Sequence, residues 1–96
     1  MSIEGKVALV SGATRGIGKA IALELGKHGA VVIGTATSEN GATAISAYLS
    51  ESNIKGAGLV LDVADSDSVT AVLKTVQADY GTIEILVNNA GITRDN

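Results

Sequence analysis

The sequence predicts an α/β fold, the first half of a doubly wound parallel sheet, with four strands in the order 3-2-1-4. Three observations predict it. Apolar residues make up 46% of the 96 residues and charged residues 18%, the balance of a sheet covered on both faces rather than of a disordered or fibrous chain. Short apolar runs alternate with segments of helical period along the whole chain. A glycine-rich loop joins the first run to the first helix, the position at which such sheets place their ligands.

Lys6-Val7-Ala8-Leu9-Val10 has no polar alternation and predicts a first strand buried on both faces. Ile17, Ala20, Ile21 and Leu25 fall at helical spacing, and Gly29 stands where that helix stops. Ala30-Val31-Val32-Ile33-Gly34 is the second strand. A polar loop from Thr35 to Gly41 follows, then a helix carried by Ala42, Ile45, Tyr48 and Leu49. Gly58-Leu59-Val60-Leu61 is the third strand, running into Asp62 and Val63. Asp65 or Ser66 caps the next helix, whose apolar face is Val69, Val72, Leu73, Val76 and Tyr80. Gly81 ends it, and Ile85-Leu86-Val87 leads into Asn88-Asn89-Ala90-Gly91 as the fourth strand and its exit loop. Strands joined by single helices must run parallel through right-handed crossovers.

The net charge of −3 leaves no basic footprint for nucleic acid or anionic lipid. With no cysteine and a single histidine, His28, neither a disulfide nor a metal shell is expected. His28, near a helix C-terminus, is expected to cap carbonyls. The start lacks a signal-like basic and apolar run, and no stretch approaches the ~20 apolar residues of a membrane span, so a cytoplasmic location is expected. With no Trp or Phe, the core must be built from Val, Ile, Leu and Ala.

The chemistry concentrates in Gly12-Ala13-Thr14-Arg15-Gly16-Ile17-Gly18. Between a strand and a helix, free backbone N–H groups and the helix dipole favour a phosphate, and glycines let the backbone approach it closely. The spacing is not that of a triphosphate loop, because Ala13 replaces its first glycine and Ala20 the hydroxyl residue that ligates magnesium. A G-x-G-x-x-G begun at Gly16 also fails, at Ile21. Dinucleotide binding by a Rossmann-type domain remains. After the second strand, Thr35-Ala36-Thr37-Ser38 offers no acid to repel a ribose 2′-phosphate, and Arg15 brings a cation, so NADP(H) is favoured over NAD(H); otherwise Arg15 is a solvated loop cation and the threonines turn formers. Asp62 either accepts from an adenine amino group or satisfies loop N–H groups. The Asn88–Gly91 stretch either lets a flat cofactor lie close or ties strand ends together. Tyr48 and Tyr80 lack a lysine four residues on and are expected to pack on helix faces.

Through Gly12-x-x-x-Gly16-x-Gly18, Asp62 and Asn88-Asn89-Ala90-Gly91, the chain resembles the short-chain dehydrogenase/reductase family. The segments 33–41 and 88–96 are similar to the branch that reduces 3-oxoacyl chains carried on acyl carrier protein in bacterial fatty-acid synthesis. The resemblance implies NADPH as hydride donor, with Gly12, Thr14, Arg15, Gly16, Ile17 and Gly18 on its phosphates and Thr37 on the 2′-phosphate side. It implies Asp62 and Val63 at the adenine, and Asn88, Ala90 and Gly91 along the inner wall. The family's catalytic Ser, Tyr and Lys have no counterpart here, so no catalytic residue is assigned. It also implies a homotetrameric full-length protein.

The chain, residues 1–96, is therefore expected to be the N-terminal part of a single NADP(H)-binding domain, cut after the fourth strand, of marginal stability and inactive alone. Two other functions fit the same residues: a non-catalytic NADP(H)-binding or interaction module, and a short-chain reductase of another carbonyl substrate.

Overall fold

The structure, a computed structural model, describes residues 2–89. In chain order the elements are β1 (Val7–Val10), α1 (Gly16–Lys27), β2 (Val31–Ala36), α2 (Glu39–Glu51), β3 (Gly56–Val60), α3 (Ser66–Asp79) and β4 (Ile83–Val87). The four strands form one parallel sheet in the order β3-β2-β1-β4, as the sequence predicts. Chain direction reverses across β1: the path runs outward to β2 and β3, then returns to β4 on the other side. That switch opens a crevice at the carboxyl ends of the strands.

Side-chain alternation splits the core into two layers. Ala8, Val10 and Val32 face α1 and α2, where they meet Ala22, Ile45 and Leu49. Val7, Leu9 and Ile33 face the opposite way and meet Val72 and Val76 of α3. The first layer is rich in alanine, which lets two helices close on the sheet without any aromatic residue in the core. Complete burial of Ile33, Ile45 and Leu49 stabilises the fold by about 1.5–3 kcal/mol each. None of the helices among the described residues is long and apolar enough to cross a membrane.

The helix ends follow the expected chemistry. Asp65 caps α3 by accepting from the Asp67 and Ser68 amides, and Ser38 caps α2 by accepting from Gly41. Beyond α1, the Gly29 amide donates to Gly26 and that of Ala30 to Leu25, closing the helix with backbone groups. The His28 side chain does not cap carbonyls as expected; its Nε2 lies 3.0 Å from the Glu24 carboxylate, one turn back.

Other expectations need correction. Strand β2 runs on through Thr35 and Ala36, which pair with Leu59 and Val60, so the polar loop before α2 shrinks to Thr37 and Ser38. Strands β3 and β4 start earlier than the apolar runs suggest, at Gly56 and Ile83, because pairing with a neighbour overrides the weak strand preference of Gly56 and Glu84. The inward stripe of α1 is Gly18, Ile21, Ala22 and Leu25; Ile17 is 65% exposed and Ala20 also faces outward. Leu73 is exposed on α3 rather than packed.

Candidate functional site

The crevice is built around the glycine loop. Past β1, the Ser11 amide donates to the Val87 carbonyl at 3.0 Å, carrying the pairing with β4 one residue further. Gly12 and Gly16 then take φ of 64° each, a left-handed turn that a residue with a Cβ enters only at a cost. Between them Ala13 is fully buried; its amide donates to the Thr35 carbonyl at 3.0 Å and its carbonyl accepts from the Tyr48 hydroxyl at 2.6 Å. The loop is thus tied to β2 and α2 before it delivers α1.

Helix α1 opens differently from its neighbours. Its N-cap, Arg15, is extended and makes no side-chain cap bond, and its first turn holds no acid. The first-turn N–H groups therefore keep their donor capacity and the positive end of the helix dipole stays unneutralised, the condition for holding an anion. Gly18 packs this turn against the loop: a Cβ there would collide with the Gly12 carbonyl oxygen and lie 2.7 Å from Asn89 Nδ2.

A cleft of about 900 Å³ lies in front of this junction. The structure brings Gly12, Thr14, Arg15, Gly16, Ile17, Thr37 and Val63 together in its walls. Gly18 lies behind the wall, supporting it. Asp62 stands outside the lining, where its Oδ1 accepts from the Ala64 amide at 3.0 Å and so closes the turn after β3. Asn88 is also outside: its Oδ1 accepts from the Ser11 hydroxyl at 3.2 Å, tying the ends of β4 and β1. Ala90 and Gly91 lie outside the described residues.

No acidic side chain lines the cleft among the described residues, and Arg15 has no ion-pair partner among them. An anionic ligand is the electrostatic match. The sequence includes Asn89 in the Asn88–Gly91 stretch but gives it no individual role, although a signal for one exists. Ile85 and Val87 pack toward α1 and α2, so a period of two puts Asn89 on their side and Asn88 with the outward Leu86. Asn89 is 4% exposed and lines the cleft; Nδ2 donates to the Gly12 carbonyl at 3.1 Å, which fixes the amide's orientation, while Oδ1 is buried with no hydrogen-bond partner among the described residues. Leaving a buried acceptor unmatched costs about 1–3 kcal/mol, which a hydroxyl-bearing ligand would recover. Free helix amides, an unpaired guanidinium and a buried acceptor suit a phosphorylated ribose, so the residues present fit a nicotinamide dinucleotide. Tyr48 also does more than pack, through its bond to the loop; burial pushes its phenol up to about 12.

A parallel β3-β2-β1-β4 sheet with a glycine-loop crevice at its switch point is a Rossmann-like half-fold, and the chain belongs to the short-chain dehydrogenase family, whose model matches residues 6–96. Among individual proteins, it is 63% identical over 94 residues to the 3-oxoacyl-[acyl-carrier-protein] reductase FabG of Haemophilus influenzae, covering 98% of this chain and 38% of that protein. It is 62% identical over 96 residues to the reductase of the same name from Pseudomonas aeruginosa, covering 100% of this chain and 39% of the relative. For the Escherichia coli protein the identity is 60% over 96 residues, with 100% and 38% covered. The chain thus spans under two fifths of the length of these relatives.

Proposed function

We propose that this chain is the nucleotide-binding N-terminal part, residues 1–96, of a single-domain oxidoreductase that uses NADPH to reduce 3-oxoacyl groups on acyl carrier protein to 3-hydroxyacyl groups. The observation that carries the cofactor half is the uncapped N-terminus of α1 beside Arg15, which among the described residues has no ion-pair partner and lines a cleft with no acidic side chain. The substrate half rests on the names of relatives 60–63% identical over the matched length. A homotetramer in the cytoplasm is the assembly we expect of the whole protein.

In this reading Gly12, Thr14, Gly16, Ile17 and the first turn of α1 receive the pyrophosphate, with Gly18 holding loop and helix together. Arg15 and Thr37 take the 2′-phosphate side and Val63 the adenine, with Asp62 closing the turn behind Val63. Ala90 and Gly91 take the inner wall, joined by Asn89 through its buried Oδ1, while Asn88 ties β4 to β1 beside it. When bound, the cofactor supplies hydride for the β-keto carbon. Arg15 favours the 2′-phosphate by charge-assisted hydrogen bonding, and an acid in place of Thr37 would oppose it.

Tyr48 is followed four positions on by Ser52, and Tyr80 by Glu84, so this chain offers no tyrosine–lysine pair for proton donation to a carbonyl. That favours a division of labour in which these residues bind and orient the nucleotide while proton transfer belongs to another part of the protein. Titration with NADPH and NADH by nicotinamide fluorescence tests the cofactor half: preference for NADPH is expected, and equal affinity or none would overturn it. Assay with a 3-oxoacyl thioester tests the rest, with turnover expected from the full-length protein and none from this chain alone; turnover by the chain alone refutes the division.

A further inference from the structure

Between its two left-handed glycines the loop depends on one buried residue, Ala13, for its anchorage. The Ala13 amide is held by the Thr35 carbonyl at the end of β2, 3.0 Å away. Its carbonyl is held by the Tyr48 hydroxyl at 2.6 Å, from the third turn of α2 and 35 residues away in sequence. No other side chain among the described residues hydrogen-bonds to residues 13–16, and Ala13 is fully buried, so water cannot readily replace the phenol.

Two further contacts join α2 to this corner. Lys19, one turn into α1, places Nζ 5.1 Å from the centre of the Tyr48 ring, so the ring bridges the loop and the helix that the loop starts. At the other end of α2, Gly41 lies so close to the loop that a Cβ would stand 3.0 Å from Thr14 Oγ1.

We propose that Tyr48 is a positioning residue for nucleotide binding: its hydroxyl, by fixing the Ala13 carbonyl, sets Thr14, Arg15 and the first turn of α1 in the geometry that receives the phosphates. The inference rests on the function proposed above. Tyr48 touches no ligand in this scheme and is not catalytic. Tyr48→Phe keeps the ring, its packing and the Lys19 contact, and removes only the hydrogen bond. The raised phenol pKa of about 12 keeps the donor protonated at ordinary pH.

The test compares wild type, Tyr48→Phe and Val72→Ala, the last a general destabiliser on the opposite face of the sheet. Amide hydrogen exchange without nucleotide should quicken at residues 13–16 in Tyr48→Phe by clearly more than at Val7–Val10, whose amides report the global stability. The Kd for NADPH should rise about tenfold, the equivalent of one hydrogen bond. Val72→Ala should leave loop exchange and Kd near wild type. Unchanged loop exchange in Tyr48→Phe overturns the proposal, as does quicker exchange with unchanged Kd, or an equal Kd rise in Val72→Ala. Should wild type bind no NADPH, the proposed function fails, and loop exchange alone decides whether Tyr48 positions the loop.

Discussion

Replacing Gly18 by alanine adds one methyl group and should disturb both stability and nucleotide binding. The new Cβ would collide with the Gly12 carbonyl oxygen, lie 2.9 Å from the Gly12 carbonyl carbon and 2.7 Å from Asn89 Nδ2. Neither neighbour can yield alone, since Gly12 is backbone and Asn89 donates to that same carbonyl at 3.1 Å. Loop and helix must therefore separate. Overpacking of this kind costs about 1–3 kcal/mol, losing the Asn89 bond adds about 1 kcal/mol, and the better helix propensity of alanine offsets about 1 kcal/mol. A net loss of about 1–3 kcal/mol should lower the urea midpoint by roughly 1 M. The Kd for NADPH should rise about tenfold as the amides of α1 leave their place beside the loop. Gly16→Ala is the comparison: its Cβ meets nothing within 4 Å, so only its φ of 64° resists, at a cost of about 1 kcal/mol. A Gly18→Ala protein with the wild-type midpoint and Kd would show that loop and helix do not meet as described.

Three other expectations can be checked on the same material. Arg15→Ala should weaken NADPH by about tenfold to a hundredfold, the worth of hydrogen bonds to a charged group, while NADH changes under about threefold; parallel losses in fluorescence titrations would remove Arg15 from the 2′-phosphate. Burial raises the Tyr48 phenol from 10.0 to about 12, so its neutral form is the one the fold favours. That contribution is complete below pH 10, shrinks as pH rises toward 12 and, for a half-exposed group, is on the order of 1 kcal/mol. The urea-midpoint gap between wild type and Tyr48→Phe should therefore narrow over this interval, and a constant gap would contradict it. Leu86→Lys, at a site 68% exposed on β4, should change stability by under about 0.5 kcal/mol; a clear drop in the urea midpoint would show that Leu86 is packed rather than exposed.

The alternation of strands and helices was legible because each strand contains a short apolar run, unbroken through Val7–Val10 in β1, and the strand order followed from the connectivity of a doubly wound sheet. Boundaries were less legible. Thr35 and Ala36 extend β2 because Leu59 and Val60 pair with them and the Ala13 amide needs the Thr35 carbonyl, demands imposed from elsewhere in the chain. The face of α1 was misjudged for a related reason. Ile17 is the apolar residue that periodicity selects, yet close packing against Gly12 reserves the inward position for Gly18, and Ile17 is left on the cleft wall. Hydrophobicity cannot register a site where the useful property is the absence of a side chain.

The two residues whose roles the sequence understated, Asn89 and Tyr48, differ in how accessible the missing signal was. For Asn89 it was local: strand parity through Ile85 and Val87 turns the second asparagine toward the glycine loop, while Asn88, in phase with Leu86, reaches Ser11 instead. For Tyr48 no local signal exists. On α2 it occupies a position that an amphipathic helix would give to any large apolar residue, and phenylalanine would satisfy the same pattern. What distinguishes the two side chains is a hydroxyl that finds its acceptor on a different element, 35 residues away. The glycine spacing identifies a loop able to cradle phosphate, whereas the hydrogen bonds that hold the loop still depend on the completed sheet and on α2 packed beside it. Nucleotide affinity in this protein should therefore respond to changes in α2 that the glycine motif alone gives no reason to expect.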